Sequence, residues 1–208
     1  MFVTDKFAII GHEVPENAEE ELKKTFNVPI YRATIAGTSL LGVFLAGNSD
    51  NIIIPSIAFK EEIQALKETG AKIHVFETKL TCLGNNVLVT KNKVIVNPEY
   101  SEAQANKIGD LLGIETQRKK IAGMNTVGNV LVMNESKGLA LLSNDATEDE
   151  IYELEKELKL TITPTSVNMG SPFIASGIAC NKNGFIIGKA SGSAEIMNAL
   201  EGLGFQDE

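Results

Sequence analysis

The chain has 208 residues, of which 43% are hydrophobic and 22% charged, enough apolar matter for a folded core and no composition of a disordered chain. A net charge of −8 repels phosphate backbones and sets nucleic acid aside as a main direct partner. No apolar run reaches the roughly 18 residues of a membrane helix, and MFVTDKFAII lacks a signal-peptide layout, so a cytoplasmic protein with reduced Cys82 and Cys180 is expected.

Taken in chain order, the predicted elements repeat. The first copy runs FVTDKFAIIG, VPENAEEELKKTF, NVPIYRATIAGTSLLG and lacks the front end of the others. The second opens at Gly42 with two β-favouring runs around Asn48-Ser49-Asp50-Asn51, a hairpin signal. Ile63 and Leu66 then form a helical stripe stopped by Gly70, and AKIHVFET reads as a third strand. The third copy opens at Gly84, turns at Thr90-Lys91-Asn92-Lys93, and enters a helix through a capping box, Ser101 to Gln104. Ile108, Leu111 and Leu112 give its stripe; IETQRKKI follows, and its Arg118-Lys119-Lys120 is read as a solvated strand edge. The fourth opens at Gly128, turns at Asn134–Gly138, caps with Thr147-Glu148-Asp149-Glu150, buries Ile151, Leu154 and Leu158, and ends in LTITPTSV. The fifth opens at Ala175 and turns at Asn181–Gly184.

Openings 42, 44 and 47 residues apart mark a repeat architecture, in which each unit leans on its neighbours to bury its apolar face. The unit is β-β-α-β with its charged helix face outside. Five units without a polar cap favour a ring over an open stack. The expected fold is therefore α/β, a pentein-type β/α-propeller with pseudo-fivefold symmetry. It forms one domain with units at about 1–41, 42–83, 84–127, 128–174 and 175–208, the first incomplete at its N-terminus.

Folds of this kind also host guanidine-modifying enzymes that place a Cys, a His and acids in the channel. Here the candidates are Cys82, Cys180, His12 and His74, and no Cys–His pair occupies equivalent places in the repeat. The glycine motifs lack phosphate-binding spacing, and no ligand cluster suggests a metal, so no cofactor is expected. What stands out is the set of linkers before each opening: TIAGTSLLGV, TKLTCLGN, KIAGMNTVGN and SVNMGSPFIASG. They link third strands to first strands and so gather at one end, as a weakly charged rim suited to docking or simply to tight turning.

These linkers carry a resemblance. TIAGTSLLGVFLAGNS, TKLTCLGN, IAGMNTVGN and TSVNMGSPFIASGIACNKNG resemble translation initiation factor 6 of archaea and eukaryotes, in one register from about Thr4 to Phe205. The resemblance implies a non-enzymatic, monomeric protein that binds the large ribosomal subunit through a ribosomal protein, blocks its joining to the small subunit, and acts in large-subunit maturation. It puts the contact residues at Leu40, Leu41, Gly42, Val43, Asn48, Asn85 and Phe173; Asn129 is added as the repeat counterpart of Asn85. Val43 stands where eukaryotic members have an arginine. Two further departures are a start already inside the first hairpin, without the family's strand that closes the last blade, and Lys189–Glu195 in place of an Asp-Thr-Thr run. The alternatives are a pentein enzyme acting on a guanidine compound, or a paralogue that has lost ribosome binding.

Overall fold

The computed structural model describes residues 1–206; Asp207 and Glu208, the end of the predicted fifth unit, lie outside the described residues. The first unit contains β1 (Phe2–Val3), β2 (Ala8–Ile10), α1 (Glu16–Phe26) and β3 (Ile30–Arg32). The second begins with a short helical turn, α2 (Leu41–Phe44), followed by β4 (Ala46–Gly47), β5 (Asn51–Pro55), α3 (Lys60–Lys67) and β6 (Lys72–Phe76). The third comprises α4 (Leu83–Asn86), β7 (Val87–Val89), β8 (Val94–Val96), α5 (Glu102–Leu112) and β9 (Thr116–Arg118). A 3-10 turn at Val127–Asn129 opens the fourth, before β10 (Leu131–Asn134), β11 (Leu139–Ser143), α6 (Glu148–Leu158) and β12 (Thr161–Thr165). The fifth has α7 (Ile174–Gly177), β13 (Ile178–Asn181), β14 (Gly184–Ile187) and α8 (Ser193–Gly202).

In the first four units the first two strands pair antiparallel and the third pairs parallel to the second, the β-β-α-β order read from the repeat. The expected shortfall in the first unit is corrected in one respect. That unit lacks the opening helical turn, yet its sheet has all three strands. Among the described residues the fifth sheet is the one with two strands, β13 and β14.

Hairpin chemistry repeats with the strands. Asn48 Oδ1 accepts the amides of Asp50 and Asn51, Thr90 Oγ1 those of Asn92 and Lys93, and Asn181 Oδ1 those of Asn183 and Gly184. A short polar side chain replaces the missing ladder bonds of each turn. The amide ends of hairpin asparagines reach further, to the last carbonyls of the next unit's helix. Asn92 Nδ2 donates to Leu158 O at 2.8 Å, Asn134 Nδ2 to Leu203 O at 3.0 Å, and Asn181 Nδ2 to Phe26 O at 2.9 Å. Helix ends leave carbonyls without intrahelical partners, and these bonds satisfy some of them while joining units.

The opening turns touch through glycine. A Cβ on Gly84 would collide with the carbonyl oxygen of Gly42, and one on Gly128 with that of Gly84. At Gly42 the neighbour is the carbonyl of Met1. Contacts run from each unit to the next, and from the fifth back to the first, where Ala179 and Ile186 pack against Ala8, Ile10, Leu22 and Phe26. The first strands of all five units line one cavity of about 670 Å³.

Candidate functional site

The hairpins sit at one end of the first strands. At the other end lie the linkers, the opening turns and, because each helix follows a second strand running back, the helix N-termini. Three linkers share a left-handed turn. Ala36 and Gly37 have φ of 51° and 72°, Ala122 and Gly123 have 52° and 72°, and Asn168, Met169 and Gly170 have 50°, 66° and 99°. Isolated bridges close the turns, Ile35 with Thr38, Ile121 with Met124 and Val167 with Ser171. Such turns leave successive amide N–H groups convergent and in need of an acceptor.

In the second and fifth units that acceptor is a glutamate from the first turn of the helix. Glu62 Oε1 accepts Thr34 Oγ1 and Gly37 N at 2.8 Å each; its Oε2 accepts Ala36 N and Phe59 N, also at 2.8 Å. Glu195 repeats this atom for atom: Oε1 takes Ser166 Oγ (2.7 Å) and Gly170 N (2.9 Å), Oε2 takes Met169 N (3.1 Å) and Gly192 N (2.8 Å). Burial works against ionising both carboxyls, but the four donors outweigh it. Glu62 is held below its ordinary range and Glu195 down at about 2.

The fourth unit keeps part of the device. The capping box expected there is half formed: Thr147 Oγ1 accepts Glu150 N, but the Glu150 carboxylate turns outward to Ala122 N in the linker. Lys120 stands where Thr34 and Ser166 supply a hydroxyl. The third unit has no left-handed linker turn, and the equivalent helix residue is Gln104, which forms the expected box with Ser101. The uncharged rim is thus a layer of amides over buried carboxylates, which sequence reasoning missed. The signal was present: a hydroxyl residue two or three places before a small pair containing glycine coincides with a helical Glu, and glutamine appears where the turn is lost.

The rim residues expected from the sequence divide by the pitch of the opening turn. Leu40 and Phe173 hold its N-cap place and are exposed, at 58% and 40%. Leu41, the next residue, is corrected: it is fully buried in the core between the first and second units, so it supports the rim from beneath. Gly42 is exposed; Val43, Asn85 and Asn129 are equivalent, half-buried residues lining the cavity mouth. Asn48 is corrected too. It lies beyond the other end of β4, where its carbonyl side chain closes the hairpin, and it lines a cleft with Thr4, Asn134 and Asn181. Missing from the expected set are Ile57, Phe59 and Met169, exposed by 43%, 55% and 84% at the same end.

The thiols and imidazoles stand apart in the repeat. Cys82 is the N-cap of α4, whereas Cys180 lies in β13, where burial and nearby Asp5 push its thiol up to about 12. His74 Nε2 lies 2.9 Å from Asn51 Oδ1, and the His12 carbonyl accepts from Arg32. A nucleophilic thiol needs the opposite shift. Among the described residues no three His, Cys, Asp or Glu side chains group to hold a metal ion, and no helix is long and apolar enough to cross a membrane. In the basic triplet, Arg118 donates to Tyr100 O and Lys119 pairs with Glu157 at 3.3 Å.

Comparison with known proteins agrees with the resemblance read from the linkers. The eIF-6 family profile matches residues 1–201. The chain is 34% identical to translation initiation factor 6 of Sulfolobus acidocaldarius over 200 residues, covering 95% of this chain and 89% of the relative. Against the factor of Pyrococcus abyssi the identity is 30% over 207 residues, covering 97% and 90%. Among solved structures, DDAH from Pseudomonas aeruginosa complexed with citrulline is similar with a TM-score of 0.49 and 14% identity, over 84% of this chain and 68% of that one. A likeness that distant carries no inference about chemistry.

Proposed function

The chain belongs to the eIF-6 family, and on that premise we propose that it binds the large ribosomal subunit through the linker rim and blocks joining of the small subunit by occupying the face between them. The observation that supports this most is the placement of exposed apolar side chains. Leu40, Ile57, Phe59, Met169 and Phe173 crowd one end of a chain whose net charge is −8. Exposed apolar side chains of this size gain when a partner removes them from water. The partner surface is a ribosomal protein, reached with little direct RNA contact, since the chain's net charge of −8 repels phosphate backbones. An acidic body approaching a basic ribosomal surface also gains encounter rate.

No catalytic role is assigned. A guanidine-directed thiol enzyme would need a nucleophile poised beside a base, and the raised thiol of Cys180 is the reverse of that requirement.

Co-sedimentation with purified archaeal large subunits tests the reading. The unmodified protein comigrates at near-physiological salt, whereas Phe173→Glu and Val43→Glu each weaken binding by about tenfold or more with the melting temperature preserved. Failure of the unmodified protein to comigrate would refute the function, and full binding by both variants would move the site elsewhere.

A further inference from the structure

The complete four-donor carboxylate clamp occurs in the second and fifth units, at Glu62 and Glu195. The same two units carry the large side chains at the rim. The N-cap place of the opening turn holds Leu40 and Phe173 there, but Cys82 and Thr126 in the third and fourth units. The backbone at that place is nearly the same in all four, with φ between −78° and −87°, so the difference lies in the side chains. Two of the three other exposed rim groups donate to the clamps; Ile57, between β5 and α3, is the third. Phe59 donates its amide to Glu62, and Met169 donates its own to Glu195 while holding a φ of 66°, a conformation unfavourable for a non-glycine residue. The remaining exposed large apolar residues, Val75, Tyr152, Ile196 and Met197, lie on outer strands and helices.

Resting on the docking function above, we propose that Glu62 and Glu195 are positioning residues for ribosome binding. Each carboxylate locks one left-handed linker turn and so presets an apolar prong, Leu40 with Phe59 in the second unit and Met169 with Phe173 in the fifth. These two units flank the first, so the docking footprint is one-sided, centred on units five, one and two. Presetting matters because a loose loop loses its freedom on binding, and that loss is subtracted from the affinity. A glutamine cannot substitute. One carboxylate oxygen becomes an NH₂ group facing two N–H donors, and the turn beneath the prong loosens.

A double-mutant cycle on large-subunit binding separates positioning from plain stability. Glu195→Gln is measured alone and in a Met169→Ala/Phe173→Ala background, with thermal melts of each protein. The expected result is about a tenfold loss of affinity in the first background and less than about twofold in the second, because the clamp acts through side chains already removed. Equal losses in both backgrounds, or no loss in either, would overturn the assignment. Binding unaffected by Met169→Ala/Phe173→Ala itself would instead sink the docking reading, and the positioning role with it. Should Glu195→Gln fail to fold, Ser166→Ala, which deletes one donor to the same carboxylate, runs the same cycle with the same criteria.

Discussion

Glu195 shows how much a single side chain can carry when its donors come from both sides of a linker. Its carboxyl titrates at about 2 in the folded chain, against an ordinary value near 4.5. The sign follows from that depression: the unfolded chain takes up the proton first, so the stabilisation is complete above about pH 4.5 and disappears as pH falls towards 2. Urea unfolding between pH 6 and 2.5 should therefore show a steep loss of stability in the native protein and a shallower one in Glu195→Gln. That variant should start about 2 kcal/mol less stable at pH 6, because an NH₂ replaces one of the two oxygens and no longer accepts that oxygen's donors. Parallel curves for the two proteins would mean that the carboxylate is not the acceptor. At this scale little was legible from the chain alone. Glu62 and Glu195 look like ordinary first-turn acids on solvated helices, and three of the four donors to each lie more than twenty residues away. Nor could a motif separate Leu40 from Leu41; only the helical turn does, by pointing the first outward and burying the second.

Among the elements, the strands, hairpins and helices were legible because each is written in local chemistry. Alternating apolar runs around Asn or Thr turns, a Ser101–Gln104 box and stripes such as Ile108 and Leu112 need no distant partner to be read. Packing between elements was less visible. Gly84 and Gly128, which open the third and fourth units, read locally as turn residues, whereas each lets its opening turn lie against the carbonyl of the previous one. Gly84→Ala tests this. The added methyl meets the carbonyl oxygens of Gly42 and Leu45, both backbone atoms that cannot rotate away. Overpacking of this kind costs about 3 kcal/mol, and for a chain of this size lowers Tm by roughly 6–12 °C. Gly138→Ala is a poor control because its φ is 69°; Gly192, with extended backbone and open space around it, is the better one and should tolerate alanine with little change. An unchanged melt for Gly84→Ala would contradict the close approach of the turns.

For the molecule as a whole, the seam between the fifth and first units is the informative place. Repeat periodicity implied that units lean on neighbours; what holds the seam was not legible, because it joins residues 155 and 177 positions apart. Asn181 Nδ2 donates to Thr4 O and Phe26 O, Asn183 Nδ2 to Phe26 O at 2.7 Å, and Lys182 N to Asp5 Oδ1. Among the described residues these polar bonds and the Phe26 cluster carry the junction. Asn181→Ala should cost about 2 kcal/mol and raise amide exchange in β1, β13 and the end of α1 before the rest of the chain. Exchange that rises uniformly would indicate that the seam is no weaker than the other junctions.

The seam joins the fifth unit, which carries one clamped prong, to the first, which neighbours the second unit and its prong, so a loosened junction alters the spacing of the two prongs. The most direct measurement of that account follows light scattering as archaeal large and small subunits are mixed at joining magnesium concentrations, with increasing amounts of this protein added to the large subunits first. Joining should fall in proportion to the protein bound, and Leu40→Glu/Phe173→Glu at the same concentrations should leave it intact. Undiminished joining with the native protein in saturating excess, or equal inhibition by the double variant, would contradict it.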